Sequence, residues 1–262
     1  VDGKQAGVIA MEVAPGQPLD DLMLAVRDAP DATSRQHALE ALQEATAASA
    51  RALAELHTRA PGSGERVPTA FLNRYHEKQD ENLKVLDAHA DEVETMGIDL
   101  HGLKDAANEA WRAALEHPGT SSVVHGDDHV GNIVVDPREG VSLIDFNRLH
   151  HSLDSRGHAN GSAARDISKF WYRFQLFAQE FGYSQQEIAL VQKSFDRAYS
   201  EQGAVVTAQT LHFFTLTAAI EGLANTFKQD PPEVRARMAH FHADNIRDIM
   251  AGNSPQVRLT ED

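Results

Sequence analysis

The sequence predicts a mostly α-helical fold carrying one small β hairpin. Outside residues 121–147, apolar side chains recur every three or four positions in stretches bounded by Pro, Gly and capping residues, the period of helices with one buried face. Inside that window, two short apolar runs, 132–136 and 141–146, flank the turn-forming Asp136-Pro137-Arg138-Glu139-Gly140.

Composition narrows the classes. A chain of 262 residues with 42% hydrophobic content can bury a sizeable core. No run of eighteen apolar residues predicts a membrane span, and no basic-then-apolar opening predicts a signal peptide. The absence of cysteine excludes disulfides and thiolate metal sites and fits a cytoplasmic protein. A formal charge of −15 speaks against nucleic acid or an anionic membrane as partner. An acidic surface serves solubility and would also attract an amine-bearing small molecule.

In chain order, residues 8–12 read as a buried strand and Val13-Ala14-Pro15-Gly16 as a break. Leu19, Leu22, Met23 and Val26 put one apolar side on a short helix over 20–27. A long helix over 34–59 follows, with Leu39, Leu42, Thr46, Ser49, Leu53 and Leu56 at three- and four-residue steps; its His57 reads as a packed or capping residue. After the loop Pro61-Gly62-Ser63-Gly64, one polar helix is expected over 71–96, ended by Gly97, and another over 100–117, stopped by Pro118-Gly119. Asp80, Glu81, Asp87, Asp91, Glu92 and Glu94 there form either a solvated face or the lining of an amine pocket. Beyond Asn147 the polar run to about residue 162 lacks periodicity and is expected to be a mobile loop. Helices follow over 164–181, 184–201, 207–227 and 232–251, the third apolar on most sides and so the buried centre of this half. The tail after Gly252 reads as disordered.

The chemistry concentrates around the hairpin. The apolar run ending at Val124 delivers His125-Gly126-Asp127-Asp128-His129-Val130-Gly131-Asn132, and the second strand carries Asp145 near its end. A hairpin folds its ends together, so Asp127, Asn132 and Asp145 converge. Two carboxylates and an amide oxygen suit a hard cation such as Mg²⁺, with one carboxylate left to accept a proton. Competing readings are a solvated turn, or a metallohydrolase site built on His125 and His129, which leaves Asn132 and Asp145 without a role.

The octapeptide, followed by Ile144-Asp145-Phe146, resembles the catalytic loop and metal-binding strand of the aminoglycoside phosphotransferase and choline kinase family, within the protein-kinase-like superfamily. Asn132 follows Asp127 by five residues, as in the kinase pattern H-R-D-L-x-x-x-N, and a D-F dipeptide lies downstream. The resemblance implies that Asp127 orients the acceptor hydroxyl and takes its proton, that Asn132 and Asp145 hold the metal ions bridging the ATP phosphates, and that His125 braces the loop. His129 stands in place of the protein-kinase lysine and is expected on the cofactor side, with Glu12, Val13 and Ala14 as a hinge whose backbone meets adenine. Asp128, Val130 and Asn147 depart from the family pattern. Asp166, 21 residues after Asp145, resembles the aspartate that ties its helix to the loop, and the extra length before it is a candidate lid or acceptor-binding insertion. His150, His151 and His158 have no metal-site spacing, and Glu221 and Asn225 either face an acceptor or satisfy backbone.

The resemblance divides the chain into a remnant N-lobe strand and hinge (1–16) and a kinase-like C-terminal helical lobe (17–262), with catalytic loop 125–132 and metal-binding strand 141–146. A glycine-rich phosphate cover and a strand lysine are not found ahead of Val8, so the missing lobe is expected from a parent chain. The expected function is ATP- and Mg²⁺-dependent phosphotransfer to a hydroxyl of a small molecule, such as an aminoglycoside or other amine-bearing compound. A non-catalytic kinase-like binding or regulatory module is the alternative.

Overall fold

The computed structural model describes residues 14–146, 149–203, 206–229 and 232–252. At the front, β1 (Gln17–Pro18) runs directly into α1 (Leu19–Arg27), which buries Leu19, Met23 and Val26. Gly16, at φ +111°, makes the approach possible, because a Cβ there would strike the backbone of Val135. Helix α2 (Ala32–Arg59) opens where the Asp31 carboxylate accepts the Ser34 N–H at 2.8 Å. The single helix expected over 71–96 is two, α3 (Thr69–Asp87) and α4 (Ala90–Thr95). The break sets the His89 ring face to face with Phe227, centroids 4.5 Å apart, and turns Val93 into the core. Helix α5 (Leu100–Glu116) is capped by Asp99, which accepts the His101 N–H at 3.0 Å.

The hairpin forms as expected. After β2 (Ser121–Ser122) and a 3₁₀ turn at Val130–Asn132, β3 (Ile133–Asp136) pairs antiparallel with β4 (Gly140–Leu143), Ile133 opposite Leu143 and Asp136 opposite Gly140. The second strand ends at Leu143 rather than at 146, because Asp145 takes φ +63° and leaves extended geometry. Unexpectedly, β1 adds a third strand, with Gln17 opposite Val135 and Pro18 opposite Val134, giving the order β1-β3-β4. The expected strand over 8–12 and the tail after Gly252 lie outside the described residues.

From Leu149 onward, the stretch expected to be a mobile loop is tied down. A 3₁₀ turn at Leu149–Ser152 leads to β5 (Gly161–Ser162), which pairs antiparallel with β2. The Ser152 hydroxyl accepts the Val124 N–H at 3.0 Å and donates to Leu149 O at 2.8 Å. The edge of β2 and the backbone of Val124 thereby acquire partners that local sequence does not reveal.

Helices α6 (Ala164–Glu180), α7 (Gln185–Ser200), α8 (Ala208–Gln229) and α9 (Pro232–Met250) follow close to the predicted bounds. Helix α8 is the buried centre, packed against α3, α5, α6 and α9, while α2 packs against α1 and α7. Phe170, Trp171, Phe174 and Phe195 form an aromatic cluster between α6 and α7. Asp80, Glu81, Asp87, Asp91, Glu92 and Glu94 are all exposed, the solvated face rather than a pocket lining. No helix among the described residues is long and apolar enough to cross a membrane.

Candidate active site

A buried polar relay holds the loop. His57 on α2 sits with Nδ1 2.7 Å from the Tyr199 hydroxyl and Nε2 3.1 Å from Asp166 Oδ2. Asp166, in the first turn of α6, accepts the backbone N–H of His125 (2.6 Å) and of Gly126 (2.8 Å). Burial raises the Asp166 carboxyl, but His57 and the two N–H groups outweigh burial and leave it below the usual carboxylate range. The anionic Asp166 thus ties α2, α6 and α7 to the first two residues of the loop. His125 carries the tie onward, for its Nε2 donates to Ile144 O at 2.7 Å while Nδ1 accepts the Asp127 N–H at 3.4 Å.

The loop then closes on itself. Asn132 Nδ2 donates to the Asp127 carbonyl at 2.9 Å, and the Asn132 carbonyl accepts the Ile144 N–H at 3.0 Å. Asp127, Asn132 and the residue before Asp145 are therefore one hydrogen-bonded unit, and Asp145 follows at an exposed left-handed position beside Phe146, whose ring lies 4.5 Å from that of His125. A non-glycine residue held at positive φ beside such a unit marks a constrained, function-prone position.

His129, expected on the cofactor side, also has a local structural role. Its Nδ1 accepts the Gly131 N–H at 3.2 Å, capping the 3₁₀ turn, and burial holds its ring below the ordinary histidine range, with Asp127 opposing. Ala14 lies just ahead of β1, half-buried, whereas Glu12 and Val13 lie outside the described residues. Among the described residues no group of three or more His, Asp and Glu side chains is placed to hold a metal.

Two groups escape sequence reasoning. The first is Lys169, whose ammonium contacts the Asp127 carboxylate directly. The signal for it is spacing: Lys169 is three residues beyond Asp166, on the same face of α6, so a helix whose aspartate meets residues 125–126 presents its next turn to Asp127. The second is a cavity of about 200 Å³ between α6, α8 and α9. Its walls include Arg165, Lys169, Arg173, Glu221, Asn225 and His242. Lys169 belongs both to the cavity and to the contact with Asp127, which makes the two neighbours. Lys78 Nζ lies 2.5 Å from Glu221 and Arg165 lies 3.6 Å from it. Burial would raise the Glu221 carboxyl, but Arg165 and the two lysines bring it down to about 2. The earlier choice for Glu221, acceptor or backbone, resolves into a cavity wall ion-paired to Lys78 and Arg165.

The family model described as phosphotransferase enzyme family matches residues 4–153. Among solved structures, a glucosamine kinase in its crystal form B superposes with a TM-score of 0.60 at 17% identity, covering 90% of this chain and 59% of its own. A glucosamine kinase in complex with glucosamine, ADP and inorganic phosphate gives 0.56 at 17% identity, covering 89% and 59%. The likeness is one of fold, and the chain spans about 59% of the length of these structures. No curated protein matches the sequence.

Proposed function

Because the chain belongs to the phosphotransferase enzyme family, we propose that it moves the γ-phosphoryl group of ATP onto a hydroxyl of a small molecule. The observation that carries this reading is the closed unit of Asp127, Asn132 and Ile144, anchored from below by Asp166. The acceptor oxygen bonds to the γ-phosphorus, the bond from that phosphorus to the β–γ bridging oxygen breaks, ADP leaves with the electron pair, and the hydroxyl proton passes to Asp127. Phosphoryl transfer asks for positioning more than covalent chemistry, and a base fixed by its own backbone carbonyl and by Lys169 meets that need.

Asn132 and Asp145 would hold a divalent cation. The donor types fit Mg²⁺: the amide nitrogen of Asn132 is committed to Asp127, which leaves its oxygen, and the other donor is the Asp145 carboxylate. Bound there, the ion would neutralise charge on the ATP phosphates. A nucleotide donor is supported by the ADP in one similar structure. Ala14, with Glu12 and Val13, is assigned to the adenine side, and residues 17–262 to the helical lobe, the phosphates being covered by a second lobe.

For the acceptor, the net charge of −15 favours an amine-bearing compound at long range, whereas the cavity beside Asp127 carries more cations than anions. The test of the chemistry is ATP turnover by the full-length protein over a panel of small hydroxyl compounds. Asp127→Ala is expected to lower kcat at least about 100-fold with folding intact, and unchanged turnover would remove Asp127 as the base.

A further inference from the structure

We propose that the cavity between α6, α8 and α9 is the acceptor subsite and that it takes an acid: a small polyhydroxyl compound bearing a carboxylate or phosphate besides the hydroxyl that is phosphorylated. The inference rests on the reading of Asp127 as the base.

The charge of the walls carries it. Arg165, Lys169 and Arg173 face one carboxylate, Glu221. That carboxylate is already engaged by Lys78 from outside the cavity lining and, at 3.6 Å, by Arg165. Lys169 is paired with Asp127. Arg173 makes no ion pair among the described residues and stands exposed at the cavity, so among those residues its positive charge is uncompensated. The remaining lining is neutral: Asn225, Thr226, Tyr172, and His242, which burial brings down to about 3.

Arg165 is the sharper observation. Its side chain is 1% exposed, yet Nε, Nη1 and Nη2 have no hydrogen-bond partner among the described residues. Its company is Tyr75, whose ring lies 5.1 Å from the guanidinium carbon and whose hydroxyl also interacts with it, and Glu221, ion-paired to it at 3.6 Å. Burying a guanidinium without hydrogen bonds is costly. Arg165 lines the cavity with its planar donor fork unsatisfied though shielded from solvent, and such a fork binds a carboxylate or phosphate in two parallel hydrogen bonds. An ammonium ligand would meet repulsion from the same wall. Lys169, between the cavity and Asp127, sets the direction: an anion seated on Arg165 and Arg173 leaves the rest of the molecule to extend past Lys169 toward the base.

The experiment uses the full-length protein and a set of six-carbon polyhydroxyl probes: glucose, glucosamine, gluconate and glucose 6-phosphate. ATP turnover is measured with each, and calorimetric titration of each measures binding without requiring turnover. The expected result is a preference of at least tenfold in kcat/KM and in Kd for an acidic probe, the gluconate and phosphate arms telling which anion. Arg173→Ala should weaken that probe's binding about tenfold, leaving glucose binding unmoved. Arg165→Met should do the same more strongly; because Arg165 is buried, the exposed Arg173 keeps the test open if Arg165→Met fails to fold. Tighter binding of glucosamine or glucose, or an equal effect of Arg173→Ala on every probe, overturns the acid assignment while an inactive Asp127→Ala leaves the phosphotransfer reading standing. If Asp127→Ala stays active, the reading of the base falls, and the calorimetric preference still decides the charge of the ligand.

Discussion

Asp128 shows how much one side chain can cost at this site. It occupies a fully buried position, and neither carboxylate oxygen has a hydrogen-bond partner among the described residues. Burial first, then the charges of Asp166 and Asp127, push its carboxyl well above the ordinary value of 3.8, with Lys169 opposing. A folded pKa raised above the unfolded one contributes stability that is full below the unfolded value and is lost as pH rises toward the folded value. Asp128→Asn cannot ionise, so it is expected to be more stable than the parent at pH 7, with the difference shrinking toward pH 4. The limiting slope is about 1.4 kcal/mol per pH unit. Urea unfolding of both proteins at the two pH values measures it, and a parent more stable than the variant at pH 7 would show that Asp128 stays charged and paired. The resemblance to a family with an apolar residue here already marked the position as unusual. That the aspartate is buried and unpartnered is a fact of three dimensions.

At the scale of elements, α6 does the positioning. Asp166 fixes the loop, Lys169 meets the base one turn later, and Arg165 and Arg173 open on the cavity, so one helix sets four charged groups by its orientation alone. Asp166→Ala removes the acceptor of two backbone N–H groups and of His57, and a loss of about 3 kcal/mol is expected in denaturant unfolding. An unchanged midpoint would mean the relay is not a tie. On α8, a Cβ at Gly222 would lie 2.5 Å from the His242 ring, which is in contact with the Tyr172 hydroxyl. Gly222→Ala should therefore shift His242 into the cavity, cost about 1–3 kcal/mol and raise the acceptor KM with little change in the KM for ATP. Equal changes in both would dissociate this wall from the acceptor. The helices themselves were legible because their periods and caps are local: Asp31, Asp99 and the Ser184–Glu187 capping box announce their own helices. The hairpin and the unit around Asp127 were legible through motif spacing. Strand β1 was not, since two residues including a proline carry no alternation. The break at His89 depends on Phe227, and the order after residue 149 depends on Ser152 meeting Val124, partners far away in sequence. Lys169 and the cavity required knowing how α6 is turned relative to the loop.

For the whole molecule, the decisive balance is between a strongly acidic chain and a few carboxylates kept ionised by specific cations. Glu187 sits in the cap of α7, where Arg35 of α2 grips it at 2.7 and 3.1 Å while also donating to the Val26 carbonyl at the end of α1. Three helices are clipped by one arginine. Hydrogen bonding from Arg35, against burial and with help from Ser184, lowers the Glu187 carboxyl from 4.5 to about 2. Glu221 also falls to about 2, and Asp166 is lowered. Folded values depressed in this way contribute stability that is complete above the unfolded range, near 4.5, and disappears as pH falls toward 2. The molecule is therefore expected to lose stability steeply between about pH 4.5 and pH 2. Glu187→Gln separates the causes, because glutamine keeps the capping hydrogen bonds but not the charge. The variant should be less stable than the parent at pH 7, by up to a few kcal/mol, and its acid limb should be shallower, the two curves converging near pH 2. Parallel curves across the whole range would mean that the Arg35 clip contributes packing and no net electrostatic stability.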